Sequence, residues 1–199
     1  MTYGDGMIVM SWPDHLLSLE EWEELPADIC GHHELTEGVV WALPRPEPHH
    51  QAARSNLAAD LNRQLPDALR AIEDSEVVIE ASFPATVRAP DVMVISESLF
   101  QRNPPRIDAS EVLLAVEVIS PGSSKTDRIL KVAEYAGAGI PYYWVIDLTS
   151  PASLTTFALV EDKYEITDKV TGPVTLPEPA TVSVDVGKLT QRGYFAREI

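Results

Sequence analysis

Apolar residues recur along this chain in two rhythms, one helical and one of strands, and each predicts its own elements. Ser18-Leu19-Glu20-Glu21-Trp22-Glu23-Glu24-Leu25 places Glu21 three residues after Ser18, the reciprocal capping pattern of a helix start. Leu19, Trp22 and Leu25 then share the inner face of that short helix. His33 to Ala42 reads as a hairpin turning near Glu37-Gly38. A proline-broken loop, Pro44 to Pro48, leads into a helix from about His49. Leu57, Leu61 and Leu65 give that helix an apolar stripe, which Pro66 interrupts. Val77 to Ile79, Phe83 to Val87, Asp91 to Ile95 and Val112 to Ile119 read as strands. Ser124 to Ala138 reads as a helix, opened by the cap-like pair Ser124 and Asp127 and ended by Gly137 and Gly139. Tyr142 to Ile146 is a further strand, and Thr155 to Val160 with Tyr164 to Thr167 suggests a hairpin. The Pro-, Thr- and Val-rich remainder reads as irregular β structure. Strand, helix and strand between 112 and 146 imply a parallel pair with a right-handed crossover. The pattern is therefore α/β (α+β): a mixed β-sheet flanked by helices, with an N-terminal helix and hairpin. One domain over 1–199, with its core at about 18–170, accommodates all of it.

Composition narrows the classes. A length of 199 residues supports one sizeable core. No stretch approaches the run of about 18 apolar residues that a membrane helix needs. The N-terminus lacks the basic and apolar regions of a signal peptide. A single cysteine, Cys30, provides neither a disulfide framework nor a thiolate metal cluster and suits a reducing cytoplasm. Charge weighs more: 15 basic against 31 acidic residues leave a net −16, which argues against a broad nucleic-acid-binding face. A local basic patch remains open to Arg54, Arg63, Arg70, Arg88, Arg102, Arg106, Lys125, Arg128 and Lys131. The acidic excess itself reads first as solubility.

Against this pattern Glu117 is out of place, because Val112 to Ile119 otherwise reads as a buried strand. A lone buried charge is very costly, so Glu117 needs a cation, a hydrogen-bond network or a raised pKa. Asp91 repeats the oddity at the start of Val92 to Ile95. Two carboxylates at the ends of two apolar strands can converge on one hard cation. Mg²⁺ takes oxygen ligands, commonly one or two carboxylates with waters and phosphate oxygens. A backbone carbonyl near Val118 or Ile119, with Ile119 taken as the ligand, adds another. Asp127, Lys131 and Tyr135 fall on one face of the following helix, leaving Ile129, Val132, Ala133 and Ala136 to pack on the other. From there the Lys131 ammonium can orient a water or stabilise charge on a phosphate. The plainer readings are a solvated ion pair for Asp127 and Lys131, a turn cap for Asp91, and core aromatics for Tyr135 and Trp144. No Walker spacing and no Gly-x-Ser-x-Gly occurs.

Pro90-Asp91, Glu117-Val118-Ile119-Ser120-Pro121, Asp127-x-x-x-Lys131-x-x-x-Tyr135 and Gly139-Ile140-Pro141-Tyr142-Tyr143-Trp144-Val145-Ile146-Asp147 form an ordered series. It resembles the Uma-type putative restriction endonucleases, bacterial proteins of the PD-(D/E)XK nuclease fold. Glu34-Leu35-Thr36-Glu37-Gly38 and His50-Gln51 extend the resemblance, which spans about residues 18 to 160. It implies a restriction-endonuclease-like fold with Asp91 and Glu117 as metal-binding carboxylates for Mg²⁺ or Mn²⁺. Ile119 stands where the broader fold's name demands a lysine, and Lys131 is that lysine relocated to the helix. Glu34 would complete the metal shell through water or assist a second metal. His50 would contact a phosphate or move a proton. The plainer reading of His50 is a helix-start histidine without chemistry, with His49 equally available. The expected function is Mg²⁺-dependent hydrolysis of DNA in the cytoplasm, with a homodimer as candidate assembly. The alternative is a non-catalytic binding or interaction protein on the same scaffold, which the net charge favours. A small phosphorylated substrate is a third reading, with no motif behind it.

Overall fold

The computed structural model describes residues 13–25, 33–119 and 125–194. Helix α1 (Leu19–Glu23) has both bonds of the capping box: Glu21 N–H donates to the Ser18 hydroxyl, and Ser18 N–H to the Glu21 carboxylate. Trp22 is fully buried beneath it, with Leu19 and Leu25 against the same cluster. Strands β1 (His33–Thr36) and β2 (Val39–Ala42) form the expected hairpin. Glu37 and Gly38 have φ of 47° and 76°, the two left-handed residues of a tight hairpin turn. A Cβ on Gly38 would lie 2.8 Å from Leu16 Cβ and 2.9 Å from the Leu17 nitrogen, so the turn requires glycine twice over. Helix α2 (Pro48–Gln64) begins at a proline and ends at Leu65, before Pro66.

Four strands follow: β3 (Leu69–Glu73), β4 (Val77–Glu80), β5 (Thr86–Arg88) and β6 (Val92–Ser96). Helix α3 (Glu97–Arg102) and β7 (Ile107–Asp108) precede β8 (Val112–Ile119) and helix α4 (Lys125–Gly137). The chain continues through β9 (Tyr142–Asp147), β10 (Ser153–Val160), β11 (Lys163–Val170), β12 (Pro173–Leu176) and β13 (Val182–Asp185). The periodicity gave no sign of β3, α3 or β7, and Phe83 lies exposed ahead of β5. The region expected to be irregular is a regular antiparallel pair, β12 with β13. The expected Ser124–Asp127 cap lies outside the described residues.

A six-stranded mixed sheet runs β11-β10-β9-β8-β6-β3, and a five-stranded sheet runs β2-β1-β5-β4-β7. The parallel pair is β8 with β9, with Glu117 opposite Val145. Central strands bury both faces. Val92, Val94, Leu114, Val116 and Val118 pack under α2 and the β12–β13 hairpin, while Met93, Ile95 and Ala115 face the cluster that contains Tyr135. Two-residue alternation puts Glu117 on the Ala115 side, toward α4.

That placement overturns the expected division of α4. Lys131 and Tyr135 lie on its buried side, whereas Ile129 is 70% exposed and Ala133 is exposed as well. A buried carboxylate on the sheet needs donors, so the helix turns its polar i, i+4 pair inward. Only Val132 and Ala136 of the expected packing set are even partly buried. Among the described residues no helix is long and apolar enough to cross a membrane.

Candidate active site

Pairing between β6 and β8 ends at Val92 opposite Val116, so β8 runs three residues past its neighbour, from Glu117 to Ile119. Asp91, just before β6, fills that gap: its Oδ2 accepts the Val118 N–H at 2.8 Å. From the first turn of α2, His50 brings Nε2 to 3.2 Å from the same oxygen. His49 is exposed, so the fold distinguishes two histidines that the sequence left equivalent.

On the α4 side, Glu117 Oε1 accepts the Tyr135 hydroxyl at 2.8 Å and Lys131 Nζ at 3.2 Å. Lys131 Nζ also donates to Glu34 Oε1 at 3.1 Å. Lys131 is only 7% exposed, which removes the reading of a solvated surface pair; the Asp127 side chain lies outside the described residues. Glu34, 1% exposed on β1, accepts Arg88 Nη1 at 2.7 Å through Oε2 and the Ala89 N–H at 3.3 Å through Oε1. Arg88 then clamps Glu134 of α4 through two bonds of 2.8 and 2.7 Å. The five predicted residues Glu34, His50, Asp91, Glu117 and Lys131 thus fall into two linked clusters that meet at the end of β8.

The electrostatics of the members differ. Burial pushes the Glu34 carboxyl up, but the charges of Lys131 and Arg88 outweigh it and hold the pKa below the ordinary value. For Glu117, burial dominates, Lys131 offsets part of it, and the charges of Asp91 and Glu34 add to it; the pKa is raised to about 7. Burial, followed by the Glu117 charge, drives the Tyr135 hydroxyl well above the usual phenol range. Burial depresses the His50 pKa, yet the hydrogen bond to Asp91 and its charge leave it raised overall.

One feature of this donor set suits a hard divalent cation. Each strand carboxylate is held by one oxygen only. Among the described residues, Oδ1 of Asp91 and Oε2 of Glu117 take no hydrogen bond. Nδ1 of His50 is also the one buried side-chain polar atom there without a partner. Oxygen donors carrying excess negative charge are what Mg²⁺ selects. Among the described residues, no group of three or more His, Cys, Asp or Glu side chains is arranged as a metal cage. The fit is to two carboxylates with backbone and solvent oxygens, the pattern by which Mg²⁺ is usually bound.

Arg88 and Glu134, which the sequence reading assigned no role at the site, complete the charge balance. Glu134 stands three residues after Lys131 on the inward face, a spacing that could have signalled it. The arginines that left a basic patch open form ion pairs instead. Arg54 meets Glu73 and Asp74, Arg63 meets Asp60, Arg70 meets Glu97, Arg102 meets Glu111, and Arg106 meets Glu23 and Glu76. The side chains of Lys125 and Arg128 lie outside the described residues.

No curated protein matches the chain. A crystal structure of "a putative nuclease belonging to DUF820" from Anabaena variabilis is similar with a TM-score of 0.68 at 20% sequence identity. The match covers 87% of this chain and 97% of that one, and at such identity it bears on the fold alone. This chain has that nuclease-like fold. A family model described as "Uma2: Putative restriction endonuclease" matches residues 19–190, nearly the full length of the chain. The chain belongs to the Uma2 family of putative restriction endonucleases.

Proposed function

We propose that the chain is a Mg²⁺-dependent endonuclease, with Mn²⁺ as a substitute, that hydrolyses phosphodiester bonds in DNA. One observation carries the reading: Asp91 is held by a single oxygen against Val118 and His50, Glu117 by a single oxygen against Tyr135 and the buried Lys131, and the other oxygen of each is free of the described residues. Those two carboxylates would hold the metal together with a backbone carbonyl. Of the two candidate carbonyls, Val118 is the better placed. A strand residue points its N–H and C=O to the same edge, and the Val118 N–H already faces Asp91. Ile119 points its own toward β9.

When bound, the metal supplies Lewis-acid polarisation of a phosphoryl oxygen and lowers the pKa of a water. Lys131 orients the attacking water and adds positive charge where the phosphoryl group gains negative charge. Glu34 serves as a positioning residue, since both its oxygens are committed to Arg88, Lys131 and the Ala89 amide. His50 holds Asp91 through Nε2 and keeps Nδ1 available to take up or release a proton.

The test is nicking of supercoiled plasmid, and cutting of linear DNA, by the purified chain in Mg²⁺ or Mn²⁺. Activity should vanish with EDTA and fall by about 10²–10³-fold or more in Asp91→Ala and Glu117→Ala. Equal activity in both variants overturns the assignment. The net charge of −16 specifically favours the non-catalytic alternative. A chain that takes up no Mg²⁺ in calorimetric titration and binds no DNA at low salt would establish that reading instead.

A further inference from the structure

β2 is an edge strand, and Trp41 on it stands directly opposite Glu34 of β1. Opposed residues of an antiparallel pair point to the same face, with Cβ atoms about 4.5–5.5 Å apart. Leu35 and Val40, also opposed, point the other way into the cluster around Trp22. Trp41 therefore shares the face of Glu34, whose carboxylate bonds Lys131. It is 57% exposed, and Val39 on the same face is 43% exposed. None of the three buried clusters includes Trp41, so packing gives no reason for a large aromatic at this rim.

A nucleic-acid substrate poses a second question for this chain. Phosphate neutralisation normally supplies most of the affinity, yet the net charge is −16 and the described arginines named above are paired with carboxylates. Stacking of bases on an aromatic ring supplies affinity without positive charge and tolerates any sequence. It requires a base whose face is free, which a duplex interior does not offer.

Building on the nuclease reading above, we infer that Trp41 is a stacking platform for an unpaired nucleobase beside the Asp91–Glu117 site. Single-stranded or locally opened DNA is then the substrate class. The exposed ring takes the base, and the neighbouring phosphate falls toward Lys131. The competing occupant of this edge is a second copy of the chain, covering Val39, Trp41 and Leu43.

The experiment measures binding of the full chain to labelled short oligothymidine and to a duplex of equal length. Fluorescence anisotropy at low salt is the readout, with Ca²⁺ in place of Mg²⁺ and strand integrity checked on a gel. The single strand should bind more tightly than the duplex. Trp41→Ala should weaken single-strand binding roughly ten-fold, and Trp41→Phe should retain most of it. Circular dichroism should be unchanged, because the side chain is outside the core. Undiminished single-strand binding by Trp41→Ala overturns the inference, as does equal binding of duplex and single strand. If that variant instead turns a dimer into a monomer in gel filtration with binding intact, the ring is a subunit contact. Binding lost with Trp41 but no cleavage by the wild type would uphold the platform and remove only the hydrolytic reading. A chain that binds neither strand form removes both.

Discussion

Glu34 and Glu117 share one ammonium, that of Lys131, at 3.1 and 3.2 Å, yet their surroundings drive them in opposite directions. Glu34 belongs to the five-stranded sheet and also meets Arg88, so two cations answer one carboxylate and its pKa falls. Glu117 belongs to the six-stranded sheet, meets one shared cation and a phenol, feels Asp91, and titrates near 7. One side of the site is balanced and the other holds surplus negative charge. Balanced buried charge joins two sheets and a helix; surplus charge leaves the Glu117 side short of a counterion. This asymmetry separates the two halves of the candidate site.

Removing Arg88 should break the balanced side and give the largest stability loss. Arg88→Leu leaves the buried Glu34 and the half-buried Glu134 with less countercharge, at a cost of about 3–5 kcal/mol. Urea unfolding of the full chain measures it. A loss no greater than that of Arg102→Leu, whose pair with Glu111 is exposed on both sides, would mean that the two sides do not differ.

The next contrast is one of sign. Glu117 titrates near 7 when folded against an ordinary 4.5. Above pH 7 its ionised form therefore destabilises the chain, by up to about 3 kcal/mol. As pH falls from 7 to 4.5 the native state takes up the proton first and the cost disappears. Glu117→Gln should stabilise the chain at about pH 8 and make almost no difference below its ordinary pKa. Glu34 behaves conversely, because its lowered pKa makes the ionised form stabilising above 4.5, an effect lost as pH falls through the folded value. Glu34→Gln should destabilise near neutrality, with the difference closing in acid. Thermal melts across pH decide it, and two variants shifting in the same direction would contradict the comparison.

Local chemistry made much of this legible from sequence. The Ser18–Glu21 box, the Glu37-Gly38 turn and the β8 run are written in adjacent residues, and each formed as expected. β3 escaped because Leu69 to Glu73 is five residues with two charges, and α3 because Ser96 ends β6 and caps the helix at once. The expected packing face of α4 was wrong for Ile129 and Ala133, which are exposed; the carboxylate of Glu117 draws Lys131 and Tyr135 inward instead, and it sits on another element. Arg88 was hidden for the same reason. Its partners Glu34 and Glu134 lie 54 and 46 residues away, and an arginine in a strand ordinarily reaches solvent.

The smallest expected effect probes the surplus side alone. Tyr135→Phe keeps the ring, and with it the edge-on contact to Tyr143 at 5.3 Å between centroids. It removes only the hydroxyl that donates to Glu117 Oε1. The loss of stability should be about 1 kcal/mol near neutral pH, where a charged acceptor loses one donor. That donor also helps hold the Glu117 pKa down, so the pH at which Glu117 loses its proton should rise above its wild-type value. Repeating the melts on Tyr135→Phe, alone and combined with Glu117→Gln, isolates the effect. In the double variant the pH dependence should match that of Glu117→Gln, because the group whose titration the hydroxyl modulates is then gone. A midpoint shift that survives in the double variant would place the titrating group elsewhere and undo the claim that the surplus charge resides on Glu117.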